Sequence, residues 1–485
     1  MKKFSQLLPL LLSLFVVLLQ SCANIIPPGG GPRDTLPPVL VNAVPKDSAI
    51  NFKEKKITLN FDEYINIDNL QDNFVVSPYP ETTPIVEGKL KVVTIKLKDS
   101  LEANTTYSLN FGRAIKDVNE GNAQPNFTYV FSTGSTIDEN TLSGRVILAE
   151  TGSIDTTLIV VLHNNLSDTA VVKNRPRYYA RLDGKGNFQF RFLPKGVFNA
   201  FVLPNDYGKK YDDSTKMFAF LNSPVKISDS AAAPLTFYAY QESKEKQKKS
   251  ASAAKPDKSK KEDEKKLNHV RVGTNLENGQ LDLLGNLELS FNAKIRSFDT
   301  SKIVLNDTSF KPISNVQFRW DTSFTKITVL HPWVEGTPFI LVVAKDAVSD
   351  SSGNTLAKID TISFITKKEA DYGSLKLRFN DVELAKHPVL QMVQNEKITE
   401  TFILNSKEVS RSLYKPGEYQ MRILYDDNRN GIWDPGNYAL KKQPELVIAL
   451  YRKLNIKANF ENDVEVNLSD KEPEKKKPPV RSSKP

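Results

Sequence analysis

At 485 residues the chain has room for three or four domains, each long enough to bury its own core. The formal charge of +9 lies in three places: residues 242–266 carry ten Lys against six acids, residues 470–485 carry six Lys or Arg against three acids, and Lys2 and Lys3 open the chain. These stretches hold the whole surplus, which argues against nucleic-acid binding by the remainder, and the single cysteine, Cys22, excludes internal disulfides and cysteine-built metal centres.

The chain begins with Lys2 and Lys3, then an apolar run from Leu7 to Leu19 that stops at Gln20-Ser21-Cys22. A positive end, about a dozen apolar residues and a small residue before a cut site make residues 1–21 a secretory signal, too short for a comfortable membrane span. The alternative is an anchoring helix with an incidental cysteine. Leu19-Gln20-Ser21-Cys22 resembles the lipobox of bacterial lipoproteins, although Gln20 departs from the commonest residue there. The resemblance implies that the Cys22 thiol is acylated, that the mature protein begins at Cys22, and that its first partner is a membrane. Several acyl chains on one residue anchor stably without a spanning helix. Ala23 stands where many bacteria place an inner-membrane retention Asp, which favours the outer membrane and leaves its face open. Residues 22–36, rich in Pro and Gly, read as a tether.

From 37 to 134 the pattern is that of short strands with period two: Ile57, Leu59 and Phe61; Val93, Ile95 and Leu97; Tyr107, Leu109 and Phe111; Phe127, Tyr129 and Phe131. Such spacing predicts a two-sheet sandwich. Pro37-Pro38, Leu59-Asn60-Phe61-Asp62-Glu63, Asn104-Thr105-Thr106-Tyr107, the turn from Asp117 to Asn122 and Phe131-Ser132-Thr133 resemble the bacterial Ig-like domains of S-layer and other envelope proteins, which implies spacing or binding with no activity attached. The same marks return over 267–366, in Leu287 to Phe291, Gly336 to Val342, Asp350 to Asn354 and Ile362-Ser363-Phe364.

Residues 141–240 open with Leu142-Ser143-Gly144-Arg145-Val146, followed by Leu158, Val160 and Leu162 in alternation. A turn at Asp183 to Asn187, a strand presenting Phe188, Phe190 and Phe192 to one side, and a strand from Phe198 to Leu203 complete the unit. Strand, DG turn, strand and Gly-x-aromatic strand resemble the prealbumin-like or carboxypeptidase-regulatory-like β-sandwich, an accessory module that implies no catalytic residues. Residues 371–468 repeat it, with Leu375, Leu377 and Phe379, then Lys415 to Tyr419, then Met421 and Ile423. The fold class is therefore all-β: tandem sandwiches, Ig-like and prealbumin-like, duplicated. Residues 241–266, without aromatic or large aliphatic side chains, predict a disordered joint that lets the two pairs move, and residues 469–485 a disordered Lys- and Pro-rich tail.

One stretch carries chemistry. From Asp426 to Asn437 the chain reads D-x-N-x-N-G-x-x-D, so Asp426, Asn428, Asn430, the carbonyl of Ile432 and Asp434 form a candidate calcium loop of hard oxygen donors. The twelfth position is Asn437 where an EF-hand has Glu, and the flanks read as strands. The alternative is a polar hairpin whose Asp, Asn and Gly only shape the turn. In the first copy the equivalent residues, Asp206 to Asp212, carry Lys in place of donors and predict no metal.

The four histidines, His163, His269, His331 and His387, form no pair at helical spacing and read as surface or turn residues. Signatures of nucleophilic hydrolases, zinc proteases and nucleotide binders do not occur. The function expected is a non-enzymatic outer-membrane lipoprotein, a structural or adhesive scaffold whose partner is an envelope protein or glycan. A surface glycan- or protein-binding module using the Trp433 loop is the alternative. A polysaccharide- or cell-wall-acting enzyme with an unrecognised carboxylate pair is the third.

Overall fold

The computed structural model describes residues 34–228, 232–242 and 269–469. Cys22, the signal, nearly all of the joint and the tail beyond residue 469 lie outside the described residues. The chain is all-β. Helix is confined, among the described residues, to single turns such as Leu70–Asn73 and Ala170–Lys173.

In the first sandwich, alternation puts one face of each strand inside. Leu40–Val44, Lys56–Phe61, Val92–Lys96 and Ile85–Lys89 lie side by side in one sheet, and Val75–Ser77, Thr106–Asn110 and Thr128–Ser132 in another. Ile57, Leu59, Ile95, Leu109, Phe111 and Phe131 meet between them and are fully buried. The same order recurs later: Val272–Thr274, Leu287–Phe291, Lys326–Leu330 and Gln317–Trp320 form one sheet. Opposite them run Gln280–Leu281, Asp360–Thr366, Pro338–Val343 and Ile303–Asn306.

The second kind of sandwich also appears twice with one topology. In the earlier copy the sheets are Asn187–Leu193, Asn140–Leu148, Leu235–Ala239 and, opposite, Tyr178–Arg181, Leu158–His163, Gly196–Pro204, Ala219–Phe220. In the later copy they are Glu408–Tyr414, Gly373–Phe379, Glu461–Val466 and, opposite, Lys397–Ile403, Pro388–Gln394, Gly417–Tyr425, Leu446–Ala449. The first and last strands of each copy pair in parallel, Gly144 to Leu148 on Leu235 to Ala239 and Ser374 to Phe379 on Glu461 to Val466. Gly144 is required there, because a Cβ would stand 2.2 Å from the Leu235 carbonyl oxygen.

One inward assignment needs correction. Phe188 and Phe190 join the core, but Phe192 has φ of 58° and Leu193 takes the next inward place, because the ladder to the neighbouring strand slips between Asn140 and Leu142.

The four sandwiches meet at packed junctions. Between the first and second, Tyr79 N donates to Arg177 O at 2.8 Å and the Arg177 guanidinium grips Glu102 at 2.7 Å. Between the third and fourth, the Tyr372 hydroxyl donates to Asp282 at 2.7 Å, and Lys415 pairs with the same carboxylate. The second and fourth also touch, through residues 433–449. The two halves are therefore docked, which corrects the expectation of pairs moving freely about residues 241–266.

Candidate functional site

The docked surface grows from the strand Leu158–His163, whose six residues are all buried. Leu158, Val160 and Leu162 face the sandwich interior, whereas Ile159 and Val161 lie on the outer face with Phe201, Leu203, Phe218 and Phe220. A sheet apolar on both faces must be covered on both. Tyr438 of the fourth sandwich supplies the cover. It is 9% exposed, with ring centres 5.0 Å from Phe218, 5.1 Å from Phe220 and 5.8 Å from Phe201. Its hydroxyl donates to Asp168 O at 3.0 Å and its amide to Glu242 Oε1 at 2.6 Å.

Polar contacts ring this aromatic centre. Lys441 Nζ reaches Asp168 at 2.6 Å, Gln443 Nε2 donates to Asn222 Oδ1 at 2.9 Å, and Val447 N donates to Ala149 O at 3.0 Å. The approach is close enough to demand glycine. A Cβ at Gly436 would stand 2.6 Å from Tyr240 Cζ, and one at Gly152, where φ is +68°, 2.6 Å from Ala449 N.

The candidate calcium loop leads directly into this contact. Asp426, 2% exposed, accepts from Asn430 N at 3.2 Å and Gly431 N at 2.6 Å. Asn428 and Asn430 both donate their side-chain amides to Asp434 Oδ2, the latter at 2.8 Å. The structure thus brings Asp426, Asn428, Asn430 and Asp434 into one network, with Ile432 64% exposed at its tip. Sequence reasoning missed Glu445, which is 3% exposed and accepts from Asp427 N at 3.0 Å and Asp434 N at 2.9 Å. Burial pushes its carboxyl above the usual range; the two amides oppose this, and the charges of Asp426 and Asp434 add to it. No spacing rule links Glu445 to the loop, so only the fold could reveal it.

Among the described residues no group of three or more His, Cys, Asp and Glu side chains converges as a metal cage. The donor set at the loop is two carboxylates and two amides. As it stands, the amide nitrogens rather than oxygens face Asp434, and each oxygen accepts a backbone N–H, Asn428 Oδ1 from Asn430 at 3.0 Å and Asn430 Oδ1 from Ile432 at 2.8 Å. In the first half, by contrast, Lys216 Nζ sits between Asp206 at 2.5 Å and Asp212 at 2.6 Å. An ammonium neutralises that loop. No ion pair with Lys or Arg reaches Asp426, Asp434 or Glu445 among the described residues.

Trp433, on the loop that the glycan- or protein-binding alternative invokes, is half-buried. Its Nε1 donates to Glu445 O at 2.7 Å, and its ring packs on Val389, Leu424 and Val447. Trp320 lies 4.8 Å from Phe298, and Trp333 5.3 Å from Phe339. His163 is also not a surface residue; it is 2% exposed, and burial lowers its pKa to about 4.

Residues 34–133 match the family model described as a bacterial Ig-like domain. No curated protein matches the chain. Among solved structures, the chain is similar to the Bacillus anthracis TIE protein at 12% identity and a TM-score of 0.17, over 91% of this chain and 76% of that one. BcpA, the major pilin subunit of Bacillus cereus, matches at 10% identity and a TM-score of 0.16, over 68% and 100%. The S-layer protein rSbsC matches at 12% identity and a TM-score of 0.15, over 80% of this chain and 52% of that one. No helix among the described residues is long and apolar enough to cross a membrane.

Proposed function

We propose that the chain is a non-enzymatic scaffold of the bacterial cell envelope, structural or adhesive, held to the outer membrane by acyl chains on Cys22. Its units would be residues 37–134, 141–240, 267–366 and 371–468, on a tether of residues 22–36. The observation that carries this reading is where the polar chemistry goes: the Asp426 loop closes on its own amides, and Tyr438 beyond it packs one sandwich against another, instead of lining an open site. An Ig-like domain at residues 34–133 supports it. The test is cell fractionation with protease treatment of intact cells. The native chain should partition with the outer membrane and Cys22→Ala should be released; equal partitioning of both would sink the anchor. Cleavage in intact cells would place the protein outside, and protection would place it in the periplasm.

Calcium at the Asp426 loop belongs to the same proposal, supported by carboxylates that no ammonium accompanies among the described residues. A bound cation would draw the oxygens of Asp426, Asn428, Asn430 and Asp434 inward and offset the repulsion that Glu445 feels. At a hundredfold excess over its dissociation constant, calcium should stabilise the full chain by about 2.7 kcal/mol. The calorimetric melting curve should therefore move upward in calcium relative to chelator, and Asp426→Ala should abolish the difference. Identical curves would leave the loop as a hydrogen-bonded turn.

A further inference from the structure

The junction of the first and second sandwiches encloses a cleft of about 610 Å³, a volume usual for ligand sites and a place where they commonly form. Its walls are Pro78, Pro80, Pro84, Leu97, Leu101 and Tyr107. Two of its three lining carboxylates are already engaged, Glu102 by Arg177 at 2.7 Å and Asp99 by Thr82 N at 2.9 Å. Glu81 is the third.

Arg175, at the rim, is held without being neutralised. Its guanidinium lies 5.0 Å from the ring centre of Tyr79 and 5.5 Å from that of Tyr207. Among the described residues its hydrogen bonds are two long ones, 3.4 Å each, to Glu81 O and the Tyr79 hydroxyl. No carboxylate pairs with it, or with Lys98 in the same lining, among the described residues. A guanidinium stacked on rings keeps its planar edge of N–H donors for a carboxylate. A sugar is poorly served here, because the two tyrosine rings of the lining already carry other partners. Tyr107 lies flat on Phe131 at 5.1 Å and its hydroxyl accepts from Glu102 N, while Tyr79 holds Arg175 and, at 5.4 Å, Lys209.

We propose that this cleft binds an extended acidic peptide, with Arg175 gripping a carboxylate and the proline and leucine walls receiving an adjacent apolar side chain. The carboxylate can come from a peptide C-terminus or from an Asp or Glu side chain. This goes beyond the scaffold reading and does not depend on the lipid anchor or on calcium.

Three fluorescent N-terminally capped peptides would be titrated into the full chain by anisotropy. They are Gly-Leu-Pro-Leu with a free carboxyl end, Gly-Leu-Pro-Glu-Leu amide, and Gly-Leu-Pro-Gln-Leu amide. At least one carboxylate peptide should bind about tenfold or more tighter than the neutral one, and the one that does identifies the source. Arg175→Ala should erase the preference, and Arg175→Lys, which keeps the charge without the fork, should restore part of it. Arg175 is exposed, so unchanged melting curves should confirm that both variants fold. Equal binding of all three peptides, no binding, or a preference that survives Arg175→Ala would overturn the proposal. So would Arg175-dependent binding of a polygalacturonate oligosaccharide with the peptides silent.

Discussion

Tyr438→Ala should part the two halves of the molecule. Tyr438 is the side chain that the fourth sandwich inserts among Phe201, Phe218 and Phe220 of the second, and truncating a buried aromatic side chain costs about 3 kcal/mol or more. That weakens the docked arrangement by about a hundredfold. Its hydroxyl bond to Asp168 is lost as well, while the cores of the four sandwiches keep all their members. Small-angle scattering should show a larger radius of gyration and maximum dimension in the variant. Leu440→Ala, two residues away and 77% exposed, should scatter like the native chain. A Tyr438→Ala profile superimposable on the native one would mean that the remaining polar contacts suffice to hold the halves together.

Acid should weaken the same region through His163. Burial favours the neutral ring and lowers the pKa from 6.5 to about 4, so the unfolded chain binds the proton first as pH falls. Stability from this group is therefore intact above pH 6.5, declines between 6.5 and about 4, and is lost below, a span worth about 3 kcal/mol. His163 shares the outer face of its strand with Val161 and lies 5.8 Å from Phe201, on which Tyr438 also packs. Denaturant unfolding from pH 4 to 7 should show a His163→Leu variant with a visibly shallower slope. Parallel curves would show that the imidazole is not held neutral.

The inner cores were legible because period-two patterning reports which residues face inward: Ile57, Leu59 and Phe61 or Leu375, Leu377 and Phe379 are buried as that pattern requires. The docking was legible in principle and went unread. In Leu158 to Leu162 the odd positions, Ile159 and Val161, are as apolar as the even ones, which is the mark of a strand covered on both faces. The partner gave no comparable sign, because Tyr438 sits in a stretch whose Asp, Asn, Pro and Gly read as a solvated hairpin. The carboxylate under the Asp426 loop was equally hidden. Glu445 is brought beneath the Asp426 loop by the return of the chain into the next strand, which no local spacing encodes.

The parallel pairing of first and last strands has a mechanical consequence. In both copies of the second kind of sandwich, the chain enters along one strand and leaves along its parallel neighbour, so its two ends lie at opposite ends of one ladder. Tension between those ends slides the strands lengthwise and loads five residue pairs at once in the earlier copy and six in the later, where an antiparallel pair pulled from one end would yield a bond at a time. Resistance to pulling is set by the unfolding rate, and simultaneous loading slows it. Tension applied across the described residues from 34 to 469 would be carried through these two shear-braced units.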